Sequence, residues 1–240
     1  MPRSEFVKWR AISLMLIAGS LAACAGPMAV TMSDSTRNEL KSSVGIRAVH
    51  YAPPRLTITT AGKVLLDNVT LGTVPDGDYA KLYHVPDPAP TVEAALVQAL
   101  ENRAGFRKLT VVDQPLARAP QGFTSGPLDS TDTIKAAYGT GVVLDVGTMN
   151  WSGMYFTTNW ARYRLGVGIQ ARLVRLDNAE VLWKGTCWYS TETDGKIEPS
   201  MDELRANDGA LLKKIAADAG QMCGQRLVGQ LLNRNTARAD

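Results

Sequence analysis

The sequence predicts an α/β fold of the α+β kind: a mixed sheet of about five strands with helices packed on it, a long antiparallel hairpin and a C-terminal helix. Three observations carry this. Tyr163, Leu165, Val167, Ile169, Ala171 and Leu173 alternate with polar or small residues, and a second alternating run holds Val181, Trp183, Gly185, Cys187 and Tyr189. Asp177-Asn178 between them supplies a turn, so the two runs form a hairpin with one buried face. Helical spacing appears at 91–104 and again over about 202–233, where Leu212, Ile215, Ala216, Ala219, Met222, Cys223 and Leu227 form one stripe. Val142, Val143, Leu144 and Val146 make a nearly continuous apolar run, as in a strand covered on both faces.

The elements follow in order. Residues 1–10 hold Arg3, Lys8 and Arg10 against Glu5, and an apolar run of about 13 residues follows, short of the ~20 that span a bilayer. Small residues then lead to Cys24. This is the pattern of a secretory signal over 1–23. Two of the chain's three net positive charges sit in that segment, so the remainder is almost neutral and offers no basic stripe for nucleic acid. Residues 24–43 lack an apolar period and read as a flexible tether, holding the following domain ~25 Å from a lipid surface.

One domain is expected over 44–235, with 236–240 as a disordered tail. Residues 44–49 make the first strand, closed by Pro53-Pro54, and 55–59 with 63–67 suggest a hairpin. A loop with Pro75, Gly77, Pro86, Pro88 and Pro90 precedes the helix at 91–104, which Thr91 caps and Gly105 ends in a left-handed conformation. Phe106 to Val112 is the next strand. A proline-rich loop over 113–130, a short helix at 131–138 and the strand from Val142 follow. The final helix is expected to break near Asn207 and Asp208, and its Ala216, Gly220 and Gly224, four apart, let it lie close to the sheet.

Leu21-Ala22-Ala23-Cys24 resembles the lipobox of bacterial lipoprotein signals. The resemblance implies a diacylglyceryl group on Cys24, cleavage before it and acylation (palmitate or a similar chain) of the new amine, a covalent membrane anchor. Ala25, in place of Asp, implies the outer membrane. Gly105-Phe106 with Leu109 to Asp113, the run Gly141 to Gly147, and Arg172 to Asp177 with Glu180 to Trp183 resemble the periplasmic lipoproteins grouped with the TolB N-terminal domain. That group includes the curli secretion lipoprotein and accessories of exporters and cell-wall enzymes.

Cys187 and Cys223 remain once Cys24 carries lipid. In an oxidising compartment they are candidates for a disulfide, the alternative being two buried thiols. His50 and His84 are the only histidines, and no third ligand is fixed beside them, so no metal is assigned. Asn150-Trp151-Ser152-Gly153 is not a nucleophile elbow, and no phosphate loop or dinucleotide fingerprint occurs. No catalytic residue and no cofactor follow from the sequence.

The candidate contact site is aromatic: Trp151, Met154, Tyr155, Phe156 and Trp160 lie between the core strand and the long strand. They either form an apolar tip that meets a membrane or a partner pocket, or fold back to close the core. Arg162, Arg164 and Arg172 read as a solvated strand face. The leading expectation is a non-enzymatic outer-membrane lipoprotein, an accessory or assembly component of an envelope complex. A homo-oligomeric ring or secretion-pore subunit is the alternative, and a periplasmic enzyme the third reading.

Overall fold

A computed structural model describes residues 29–42, 45–60, 62, 77–106, 109–112, 116, 128 and 130–232. The signal segment, Cys24, the expected strand 63–67 and the tail 236–240 lie outside these residues. The strands are β1 (Ile46–His50), β2 (Thr57–Thr59), β3 (Thr110–Val111), β4 (Val142–Phe156), β5 (Asn159–Arg175) and β6 (Glu180–Ser190). The helices are α1 (Asp34–Ser42), α2 (Tyr79–Leu82), α3 (Ala89–Asn102), α4 (Thr131–Tyr138) and α5 (Met201–Leu231).

The six strands form one mixed sheet in the order β3-β1-β4-β5-β6. β1 runs parallel to β3 and to the first part of β4, while β4, β5 and β6 are antiparallel neighbours. β2, whose expected hairpin partner at 63–67 lies outside the described residues, belongs to the same sheet. It lies beside the second part of β4, pairing Thr57 with Ser152 in parallel. Of the strand expected over 106–112, Thr110–Val111 are strand among the described residues.

Alternation decides which side chains meet the helices. Leu165, Val167, Ile169, Ala171 and Leu173 of β5 are fully buried against α3 and α5, in a core that also holds Leu96, Leu100, Trp183, Leu212 and Ile215. A smaller cluster on the opposite face joins Val49, Val143, Val174 and Leu176 to Ile134 of α4. In β4 the register shifts between Thr148 and Asn150. Such a bulge inserts one residue and exchanges the two faces beyond it. Trp151, Gly153 and Tyr155 therefore pair with core-facing Val167, Leu165 and Tyr163.

α5 begins with a capping box. Ser200 Oγ accepts from Glu203 N at 3.2 Å, and Glu203 Oε2 accepts from Ser200 N at 2.7 Å. Helical geometry is interrupted at Ala206, and Asn207, Asp208 and Gly209 are all left-handed, where the sequence places a break. The small residues of α5 meet a different partner from the one expected. A Cβ on Gly220 would lie 3.0 Å from Thr91 Cβ, and one on Gly224 3.1 Å from Ala95 Cβ. The stripe thus admits α3, not the sheet. Thr91 is accordingly a packing residue rather than a cap: α3 starts at Ala89, whose N–H is taken by Asp87 Oδ1 at 3.1 Å. Gly105 is left-handed, φ 73°.

The segment expected as a flexible tether is structured over its described part. Val30 bridges to Lys184 of β6, and α1 follows, with Ser33 Oγ accepting from Thr36 N at 3.1 Å. Met32 and Leu40 are buried in the main core, and Glu39 pairs with Arg175 at 2.8 Å. Two well-separated apolar residues hold this segment down, too few to give a helical period.

The outer edge of β6 is occupied by polar partners. Val30 exchanges backbone hydrogen bonds with Lys184. Gln230 Nε2 donates to Thr186 O at 3.0 Å, Arg226 donates to Trp188 O at 2.8 Å, and Asp194 Oδ2 accepts from Ser190 N at 2.8 Å.

Candidate functional site: the tip of the long hairpin

β4 and β5 outrun their neighbours. β2 accompanies β4 only to Met154, and β6 accompanies β5 only from Gly166 on. Tyr163 N donates to Pro199 O at 2.8 Å, so the loop after β6 covers β5 as far as that residue. What projects is Tyr155 to Ala161, turning at Thr157-Thr158 with Phe156 opposite Asn159. Asn159 Oδ1 accepts from Ala161 N at 3.2 Å, and the Trp160 indole N–H donates to Thr157 O at 3.2 Å. The turn is therefore held by its own side chains. Tyr155 and Trp160 meet edge to face, centroids 6.4 Å apart, and the Arg164 guanidinium lies 5.9 Å from the Phe156 ring centre.

The aromatic residues divide between the two readings. Trp151 is only 2% exposed and belongs to the core, which removes it from the contact surface. The bulge before it is the reason. Tyr155 and Phe156 are half-buried, while Met154 and Trp160 stand 48% and 61% exposed. Two of the three arginines are outward, but each has a carboxylate: Arg162 with Glu203 at 2.9 Å and Arg164 with Glu192 at 3.4 Å. Arg172 is not solvated. It is buried and bonds Asp145, Nε to Oδ2 at 2.8 Å, with a second guanidinium contact to the same oxygen. Three further exposed apolar side chains are not contact candidates by sequence: Leu82 on α2, Val111 on β3 and Trp188 on β6. For Trp188 a signal exists in the glycines that occupy every other position opposite it on β5.

Cys187 and Cys223 form a disulfide between β6 and α5, Cα atoms 5.5 Å apart. His50 does not join His84 in a metal site; its Nδ1 lies 2.9 Å from Glu93 Oε2 of α3. Among the described residues no three histidine, cysteine or carboxylate side chains converge as metal ligands would. A groove of about 540 Å³ follows the α3–α5 seam, and Arg103 is its only titratable lining residue.

Burial holds the Glu93 carboxyl above the usual carboxylate range, and His50 opposes that shift. A folded state that binds this proton more tightly than the unfolded chain is favoured at low pH. The contribution fades as pH rises through the folded value. Glu93→Gln removes the titration, so its melting temperature should gain on that of the parent between pH 4 and 7. A difference that stays constant over this range contradicts the assignment. The readout is thermal denaturation at several pH values.

The geometry defines an α/β domain with one mixed sheet and a projecting hairpin whose tip exposes Met154 and Trp160. No family model matches the chain, and no curated protein sequence matches it. Solved structures similar to it include a Xanthomonas campestris protein of family DUF330, 11% identical over 81% of this chain and 88% of that one, TM-score 0.38. Another is PelC, a dodecamer from Paraburkholderia phytofirmans, 12% identical over 80% and 96%, TM-score 0.26. A third is lipoprotein GNA1162 from Neisseria meningitidis, 14% identical over 80% and 99%, TM-score 0.28. At such identities and TM-scores the likenesses give no residue of this chain a role. Among the described residues no helix is long and apolar enough to cross a membrane.

Proposed function

We propose that the chain is a non-enzymatic lipoprotein of the outer membrane, anchored through lipid on Cys24, that serves as an accessory of a cell-envelope assembly and docks a protein partner through its hairpin tip. The observation that carries this reading is the tip itself, where Trp160 is exposed beyond the end of the sheet on a turn braced by internal hydrogen bonds and Met154 is exposed where β2 ends. An exposed tryptophan held rigid by its indole N–H and by edge-to-face packing on Tyr155 is the composition of an interface anchor.

The anchoring geometry supports a partner at a distance from the lipid. Cys24 is joined to Val30 by a stretch that spans at most about 22 Å when fully extended. Val30 is fixed to Lys184, opposite Arg172. From Arg172 to Trp160, β5 covers about 40 Å at the rise of a strand. The lipid and the tip thus belong to different ends of the long hairpin.

The test is in-cell photo-crosslinking from positions 154 and 160, with position 214 on α5 as control. Discrete adducts with an envelope protein from the tip alone, lost when Cys24→Ser releases the chain from the membrane fraction, are expected. With the photo-crosslinker moved to the exposed turn position 158, Met154→Ser with Trp160→Ser should abolish the adducts while changing stability by less than about 0.5 kcal/mol, as exposed substitutions do. No tip adduct, or a substantial loss of stability in the double variant, refutes the docking role. Adducts only to a second copy favour the ring-subunit reading instead.

A further inference from the structure

The sheet has a second surface, on the side away from α3 and α5, and it is not an ordinary solvated face. Trp188 of β6 is 51% exposed, yet its ring is pinned. A Cβ on Gly166 would come within 2.6 Å of ring atom Cζ2, and one on Gly168 within 2.8 Å of Cζ3. Atoms at both sides of the six-membered ring border these two glycines, so the indole lies flat across the β5 backbone with its other face outward. Glycine in a strand interior costs about 0.5–1 kcal/mol relative to alanine. Two at alternate positions are a cost that keeps this ring flat.

The register defines what surrounds it. Gly168 pairs with Trp188 and, on its other side, with Asn150; Gly166 pairs with Ser152; Thr186 pairs with Gln170. All four polar neighbours are uncharged amides or hydroxyls. Among the described residues none of the four side chains has a hydrogen-bond partner; Asn150, Ser152 and Thr186 are partly exposed, while Gln170 is buried beneath them at the rim of the patch. Ionic side chains border the patch and most are paired: Arg164 with Glu192 and Arg172 with Asp145 at its ends beside Lys184, and Arg226, which donates to Trp188 O at the β6 edge, with Asp194.

We propose that this face binds an uncharged glycan chain, with Trp188 stacking on the C–H face of one pyranose. A flat aromatic face removes the apolar side of a sugar ring from water, and unpartnered amides and hydroxyls around it match the ring's own hydroxyls as donors and acceptors. An anionic ligand would need free cations at the centre, and an apolar protein segment would leave four polar side chains covered without partners. Equatorially linked pyranoses present flat faces along the chain, so cellotetraose and chitotetraose are the probes. The site is separate from the hairpin tip, and its outcome is independent of the docking reading above.

The experiment is NMR titration of the full chain with each oligosaccharide, following indole N–H resonances, the Trp188 signal being the one missing from Trp188→Phe. Expected is a saturable shift of that signal with at least one probe. Trp188→Ala should weaken binding about tenfold or more, roughly the loss of 1.4 kcal/mol, while Trp188→Phe stays within about threefold and Trp160→Ser binds as the parent does. The proposal is overturned by an unmoved Trp188 resonance at millimolar sugar, by undiminished binding in Trp188→Ala, or by a shift that depends on protein concentration without sugar.

Discussion

Replacing Arg172 with methionine should destabilise the protein by about 3–5 kcal/mol, the cost of leaving a buried charge without its counter-ion. Asp145 is fully buried and Arg172 nearly so, and they face each other across β4 and β5 in register. The guanidinium contacts one carboxylate oxygen twice. Removing it strands a carboxylate in the sheet, where desolvation is severe. Replacing both partners, Asp145→Leu with Arg172→Met, should recover most of the loss, because hydrophobic residues of similar volume do not carry the desolvation penalty. Urea denaturation of the two single variants and the double measures the coupling. Additive losses in the double variant contradict a buried pair and imply that each side chain is stabilised by separate neighbours.

The disulfide should be worth about 4 kcal/mol. Cys187 and Cys223 close a loop of sequence separation 36, and the chain-entropy relation gives that figure for its length. Both sulfurs lie in the main core, on β6 and on α5, so the bond clamps the helix layer to the strand at the sheet's edge. Cys187→Ala with Cys223→Ala should lower the melting temperature by about 8–16 °C for a domain of this size. Reductant should bring the parent protein to a similar value and leave the variant unmoved. A shift below about 2 °C in both arms means that the two thiols serve only as core side chains.

The parts of the fold with a strict period were legible in the sequence. Alternation through Tyr163–Leu173 and Val181–Tyr189 defines the β5–β6 hairpin, and the helical stripe from Leu212 to Leu227 defines α5. The polar stretch at Asn207-Asp208 marks its break. What period does not encode is the identity of the opposing surface. Ala216, Gly220 and Gly224 announce a close approach, but only the fold says that α3 makes it. Alternation assigns Arg172 to the polar face correctly; its burial depends on Asp145, which register brings opposite from another strand. Trp151 was ambiguous for a related reason. One inserted residue between Thr148 and Asn150 reverses every later assignment in β4, and no composition signal marks it. The α1 segment was missed because its two anchors, Met32 and Leu40, stand too far apart to form a pattern. Of the aromatic-loop residues, for which sequence leaves an exposed tip and a closed core open, Met154 and Trp160 are on the surface, and the second exposed tryptophan emerges only when its ring is seen lying over Gly166 and Gly168.

The closed edge of β6 has a consequence for how this chain can assemble. An open strand at a sheet border is a template that accepts any extended segment, a copy of itself included. Here Val30, Gln230, Arg226 and Asp194 already occupy the border from Lys184 to Ser190, and the opposite border ends in the two-residue β3. Among the described residues, main-chain pairing along Lys184 to Ser190, a route to domain-swapped or fibrillar aggregates, is thereby hindered. The two surfaces we propose for recognition, the flat face and the hairpin end, act instead through side chains. If the chain is lipid-anchored as proposed, neighbours at high local density on a membrane collide without pairing through this border.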